Sequence, residues 1–231
     1  MEVGGTHDRS HARRETAMTE TMMTLAERVK VCKALAFDFD GTLVDSNTIK
    51  RSAFDVCFAE YPEHLQAIRD YCYRFNHTPR WEKFQYVTET ILKKPYTEAV
   101  AKELHRRYEE ATTQQVIRAP EIPGALAFLR TLPKCPALLL SSTPDAIIKQ
   151  IVKARQMDGF FMEIYGAPLD KTARLADYKK MHALQEHDIL FFGDTSEDAA
   201  SAQKAGWPFV AVANPALQHQ GAFYIADYKG L

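Results

Sequence analysis

Nowhere in the chain does an unbroken apolar run reach the ~18 residues that a membrane-spanning helix needs, so no membrane span is expected. There is no excess of charge either. The 29 basic and 30 acidic residues leave a formal net charge of −1, which gives no general attraction to nucleic acid or to an anionic membrane. Cysteine is scarce: Cys32, Cys57, Cys72 and Cys135 are widely spaced and show no metal-binding or redox pairing, which fits a reduced, cytoplasmic setting. The first residues, 1–24, lack an apolar h-region, so a secretory signal is not expected. They also carry Glu2, Asp8, Glu15 and Glu20 among Arg9, Arg13 and Arg14, which fits an acid-poor transit peptide badly. A flexible leader is expected there, with Met18, Met22 and Met23 as alternative starts. No internal repeat or low-complexity tract is present.

What is there is a globular composition, 46% hydrophobic and 26% charged, on a chain long enough for one core domain and a smaller insert. The chain is organised around Leu35-Ala36-Phe37-Asp38-Phe39-Asp40-Gly41-Thr42-Leu43-Val44-Asp45. A short apolar run, approached through Val29 to Val31, reads as a buried parallel strand that ends in carboxylate. Alternation along a strand sends Asp38 and Asp40 to the same side, and Gly41 permits a sharp turn. An Asp-Gly turn is common in loops. It leaves unexplained why two acids close an apolar strand, since carboxylates are rarely buried unless paired or metal-bound. Oxygen-only ligands suit Mg²⁺.

Residues 47–119 show helical spacing and no strand signal. Helices are predicted over Asn47 to Tyr61, ended by Pro62, and over Leu65 to Phe75, Trp81 to Leu92 and Thr97 to Val116, with Thr97 as N-cap. From Pro120 strands and helices alternate. Strands are predicted at Ala137 to Ser141, Glu163 to Gly166, Ile189 to Gly193 and Phe209 to Val212. Helices are predicted at Pro144 to Arg155, Thr172 to Leu184 and Ser196 to Ala205, a pattern that implies a parallel sheet covered on both faces.

Each of the next strand ends carries chemistry. Ser141-Ser142-Thr143-Pro144 offers hydroxyls and backbone N–H groups at a helix start, as a phosphate cradle or as plain helix caps. Lys171 stands at a helix start, where its charge is mildly misplaced against the helix dipole. Gly193-Asp194-Thr195-Ser196-Glu197-Asp198 again runs from an apolar strand into glycine and carboxylate, with helix capping as the simpler reading. In a parallel sheet all these ends face one side, where open α/β sheets bind their ligands.

In these residues, Asp38-Phe39-Asp40-Gly41-Thr42-Leu43, Ser141, Lys171 and Gly193 to Asp198, the chain resembles the haloacid-dehalogenase-like hydrolases. It is similar in particular to their phosphoglycolate-phosphatase-like branch. The resemblance implies a three-layer Rossmann-like α/β core, residues 25–46 and 120–231, with an α-helical cap inserted at 47–119. Asn76 to Tyr86 is similar to a cap motif of that branch, with Asn76-His77-Thr78 where relatives carry a His-Gly-Gly turn.

The resemblance also implies roles. Asp38 is the nucleophile that becomes an aspartyl-phosphate, and Asp40 the general acid and then base. Ser141, with Ser142, and Lys171 bind the phosphoryl group. Asp38, Asp194 and the Asp40 carbonyl hold Mg²⁺, with Asp198 as a further metal residue. Dehalogenases lack the second aspartate, so Asp40 favours phosphoester hydrolysis. Lys50, Lys83, Lys93 and Lys94 lie in the cap, and none is marked as a Schiff-base lysine. His77 and Arg80 are candidate substrate contacts. Trp81, Phe84 and Val87 read as packing, and Lys83 as solvent-facing. The expected function is a Mg²⁺-dependent phosphatase acting on a small phosphorylated metabolite, as a monomer or homodimer. A phosphomutase on a sugar phosphate, or a catalytically silent binding protein on the same scaffold, is the alternative.

Overall fold

The computed structural model describes residues 23–75, 78–132, 136–168 and 170–231; nearly all of the expected leader lies outside them. The described residues open on helix α1, Leu25–Val31, started by a reciprocal capping box between Thr24 and Glu27. Val29 to Val31, expected to lead into the strand, are therefore helical. The Thr-x-x-Glu spacing was the available signal.

Strand β1, Ala34–Phe37, follows, fully buried on both faces, and Asp38 is the first residue beyond it. An insert of helices comes next: α2 (Asn47–Cys57), α3 (Leu65–Arg74), α4 (Arg80–Tyr86) continued by a wider π turn over Val87–Ile91, and α5 (Glu98–Arg118). Thr97 caps α5 as expected, accepting from the Val100 N–H at 3.3 Å. The rest alternates: α6 (Ala125–Thr131), β2 (Ala137–Pro144), α7 (Asp145–Ala154), β3 (Glu163–Ala167), α8 (Lys171–Met181), β4 (Ile189–Gly193), α9 (Ser196–Ala205), β5 (Phe209–Val212) and β6 (Phe223–Ile225).

The six strands form one parallel sheet in the order β3-β2-β1-β4-β5-β6. Alternation divides β1 between two apolar layers. Leu35 and Phe37 face the layer built with Phe128, Ile148 and Ile151, while Ala34 and Ala36 face the layer built with Leu175, Ala202 and Trp207. Helices on both faces explain why the strands read as continuous apolar runs. From β1 the chain winds outward through β2 and β3, then returns to place β4 on the other side of β1. The sheet order thus reverses between β1 and β4, and a crevice opens at the carboxyl ends of those two strands.

The insert has its own apolar cluster, centred on Phe54, Phe58, Ile68, Phe84 and Tyr108. Its entry and exit are tied together: the Ile122 N–H donates to the Leu43 carbonyl at 3.0 Å and the Asp45 N–H to the Pro120 carbonyl at 2.9 Å.

Three details correct the sequence expectations. Strand β2 runs on through Thr143, and α7 starts without a side-chain cap, so neither Ser142 nor Thr143 caps a helix. Strand β6, three half-buried residues, was not anticipated. Trp81 is 52% exposed while Lys83 is only 4% exposed, the reverse of the expected assignment. The inward place in the first turn of α4 belongs to Arg80, whose guanidinium lies 5.1 Å over the Tyr108 ring. Lys83 donates to the Cys72 carbonyl at 3.1 Å and sits over Phe54, its stem packed in the apolar cluster.

Candidate active site

The crevice brings the predicted strand ends together. Register aligns Phe37 with Phe192, so Asp38 leaves β1 level with Gly193 and beside Asp194; the Asp38 N–H donates to the Phe192 carbonyl at 2.8 Å. Close approach is built into the glycines. Gly41 has φ +80°, and a Cβ there would stand 2.1 Å from Asp194 Oδ2. A Cβ on Gly193 would stand 2.6 Å from that of Asp198.

Asp38, Asp194 and Asp198 are all buried, and each offers a carboxylate oxygen within 4.8 Å of the others. Lys171, at the start of α8, donates from Nζ to Asp38 Oδ1 at 2.6 Å and to Asp198 Oδ1 at 2.7 Å. Its misplaced charge is thereby explained. The helix start carries an ammonium because two buried carboxylates face it. Asp198 does two jobs, since its Oδ2 also accepts from the Thr195 N–H at 3.3 Å and closes the capping box of α9. Helix capping, expected of Asp194 or Ser196, falls instead to Thr195 at the N-cap with Asp198 at the third helical position.

The electrostatics follow from burial. Asp38 is raised well above the ordinary carboxylate range by burial, which outweighs Lys171, with Asp198 and Asp194 adding repulsion. Asp194 is pushed up to about 7, first by burial and then by Asp198, against the Asn47 hydrogen bond. Lys171 is raised: burial works against its charge, but Asp198 and Asp38 hold the proton more strongly. Three crowded carboxylates with one ammonium lack positive charge. Hard oxygen donors in that arrangement fit a small divalent cation.

Asp40 has different company. Ser46 Oγ donates to its Oδ1 at 2.6 Å, Thr143 Oγ1 donates to its Oδ2 at 3.2 Å, and Lys50 Nζ lies 3.0 Å from that same oxygen. Burial acts to raise its pKa, yet Lys50, Ser46 and Thr143 together hold it below the ordinary value.

Ser141 is fully buried within β2, where its Oγ accepts from the Thr143 N–H at 3.1 Å. Ser142 is exposed, and it is Thr143 that joins the cluster. Arg80 pairs with Glu109 at 2.7 Å inside the insert rather than with the carboxylates, and His77 lies outside the described residues.

Several polar residues were missed. Thr42 and Asn47 donate to the two oxygens of Asp194 at 3.3 and 2.8 Å, and Asn214 donates to its backbone carbonyl at 2.8 Å. In the sequence Lys50 reads only as one of four unmarked Schiff-base candidates, and Ser46 carries no assignment. A faint signal existed, since Ser46, Asn47 and Lys50 fall in the first turn after the acidic loop. A cavity of about 440 Å³ opens beside Asp194, lined among others by Gly41, Asn47, Arg51, Ser196 and Asn214.

Residues 35–212 match a family model described as haloacid dehalogenase-like hydrolase. No curated protein matches the chain. Solved structures share the fold at low identity. A haloacid dehalogenase-like family hydrolase from Streptococcus pneumoniae is 20% identical, with a TM-score of 0.61, over 84% of this chain and 93% of that one. A predicted phosphoglycolate phosphatase from Haemophilus somnus is 20% identical, with a TM-score of 0.66, over 85% and 95%. A candidate beta-phosphoglucomutase from Thermotoga maritima is 18% identical, with a TM-score of 0.64, over 85% and 95%.

Proposed function

The chain belongs to the haloacid dehalogenase-like hydrolase family, and from that premise we propose that it is a Mg²⁺-dependent phosphatase. In this reading it hydrolyses a small phosphorylated metabolite through an aspartyl-phosphate. One observation carries the reading: the carboxylates of Asp38, Asp194 and Asp198 converge around Lys171, while Asp40, two residues from Asp38, is held apart by hydroxyls and Lys50.

Asp38 attacks phosphorus as the ester P–O bond breaks, and Asp40 gives its proton to the departing oxygen. Water then attacks phosphorus, Asp40 takes the water's proton, and the P–O bond to Asp38 breaks to return the carboxylate. Lys171, the buried Ser141 hydroxyl and the backbone around it hold the phosphoryl oxygens. Asp198 orients Lys171. Asp38, Asp194, Asp198 and the Asp40 carbonyl would hold Mg²⁺, which when bound offsets the repulsion between the anionic nucleophile and the anionic phosphate.

The helical insert serves as the cap that selects the substrate and excludes water. Its separate apolar cluster and paired connections support that role. His77 stays a proposed substrate contact, while the Glu109 pairing gives Arg80 to the framework of the insert. The cytoplasmic setting belongs to the proposal too; Cys57 and Cys72 are buried free thiols, and no helix among the described residues is long and apolar enough to cross a membrane.

Phosphate release over a panel of phosphorylated metabolites, with Mg²⁺ and with EDTA, tests the reading. Metal-dependent release that is lost in Asp38→Ala is expected. Release that persists in Asp38→Ala would refute the assigned nucleophile. Release from no ester at all leaves the mutase or the silent scaffold.

A further inference from the structure

A run of contacts leads from the Asp40 carboxylate out into the helical insert. Lys50 projects from α2, and its Nζ meets Asp40 Oδ2 at 3.0 Å and donates to Thr143 Oγ1 at 2.7 Å. Thr143 donates to that same Asp40 oxygen, so the three groups close a triangle. Among the described residues no other lysine or arginine ion-pairs with Asp40.

Lys50 is itself fixed from behind. The Tyr108 hydroxyl on α5 donates to the Lys50 carbonyl at 3.0 Å, and the buried Tyr108 ring lies under the Arg80 guanidinium, which pairs with Glu109. The core contributes only Thr143 to this arrangement. Lys50 and Tyr108 belong to the insert, and Ser46 stands at its threshold.

We propose that Lys50 is a positioning residue for proton transfer: it aims the Asp40 carboxylate at the leaving-group oxygen and ties that aim to the seating of the insert. The inference rests on the phosphatase reading of the site. A proton donor works only when oriented within hydrogen-bond reach of the departing atom. The Asp40 carboxylate can rotate about its side-chain bonds, and the Lys50–Thr143 pair on Oδ2, with Ser46 on Oδ1, removes that freedom. Displacing α2 withdraws Lys50 and loosens the aim, so a poorly seated insert leaves the nucleophile in place with a misaligned acid.

The test compares two esters: p-nitrophenyl phosphate, whose leaving group departs readily as an anion, and the fastest alkyl phosphate of the metabolite panel, whose alkoxide needs a proton. In Lys50→Met, kcat should fall about 100-fold on the alkyl ester and only about threefold on the aryl ester, with KM nearly unchanged. Lys50→Arg should recover most of the loss. Tyr108→Phe should repeat the pattern at about tenfold on the alkyl ester. If thermal denaturation shows that Lys50→Met does not fold, the Tyr108→Phe variant decides the matter by the same ratio.

Equal losses on both esters, or a raised KM with kcat intact, overturn the proposal, since a phosphate-binding or merely structural lysine behaves that way. A wild type that releases phosphate from neither ester overturns the phosphatase reading, and this inference with it.

Discussion

Asp38 and Asp40 stand two residues apart and meet opposite surroundings. Asp38 lies among carboxylates, with Lys171 as its near cation, and is pushed up by burial and like charge. Asp40 lies among donors, with Ser46, Thr143 and Lys50 on its two oxygens, and is held down. Residue type says nothing of this difference; neighbours drawn from separate loops create it. In the metal-free protein these directions favour a protonated Asp38 and an ionised Asp40, so the proposed reaction requires a cation beside Asp38 and a proton on Asp40 before the leaving group departs. The Asp38 cluster is incomplete without further positive charge, whereas the Asp40 pocket is already satisfied. Crowded buried acids also cost stability, which the fold accepts at this one place.

The largest effect should come from striking the Asp38 side of the comparison. Asp38→Asn should lower phosphate release on the order of 10⁴-fold or more on every ester, because no other group forms the covalent bond. Steady-state kinetics check it, and a loss confined to slow leaving groups would merge the two aspartates into one role. Lys171→Met comes next, with a loss of roughly 10²- to 10³-fold, as expected when a preorganised charge on the transferring group is removed. Binding of Mg²⁺ followed by calorimetry should survive in that variant. If it vanishes with Lys171, the ammonium is holding the carboxylates together rather than meeting phosphate.

The third test concerns pH in EDTA. Asp194 has its folded pKa raised to about 7 from an ordinary 3.8, so over that interval the folded state binds more protons than the unfolded one. Its contribution to stability is full below the unfolded value and is lost as pH rises through about 7. The metal-free protein should therefore melt at a lower temperature at pH 8 than at pH 5.5. Asp194→Asn should flatten that slope, and added Mg²⁺ should raise the melting temperature more at the higher pH. A slope of the opposite sign contradicts the burial argument.

The smallest effect belongs to the insert surface. Trp81→Ala should change stability by no more than about 0.5 kcal/mol, as for an exposed residue. Phe84→Ala, deep in the insert cluster, should cost about 3–5 kcal/mol by chemical denaturation.

The parts of this molecule that were legible in the sequence are those whose meaning is local. Leu35 to Phe37, Ala137 to Leu140 and Ile189 to Phe192 are apolar because both faces of their sheet are covered, and that shows as an unbroken run. Asp38, Lys171 and Asp194 were readable because each follows directly on a strand end or opens a helix. Lys50 and Thr143 were not, because they are far apart along the chain and acquire meaning only against Asp40 in three dimensions. Helical spacing placed Phe84 and Val87 correctly but could not tell Trp81 from Lys83. Which side of a short helix is covered depends on the other helices of the insert. Strand β6 was invisible because three half-buried residues carry no period of their own.

The most direct test of the central claim is to locate the phosphoryl group in mid-reaction. The enzyme is quenched during turnover with Mg²⁺ present, reduced with borohydride, which converts an aspartyl-phosphate to homoserine, and mapped by peptide mass spectrometry. The account predicts conversion at residue 38 alone, abolished by EDTA and absent from Asp194→Asn. Conversion at Asp40 or elsewhere, or steady phosphate release with residue 38 never modified, would contradict it.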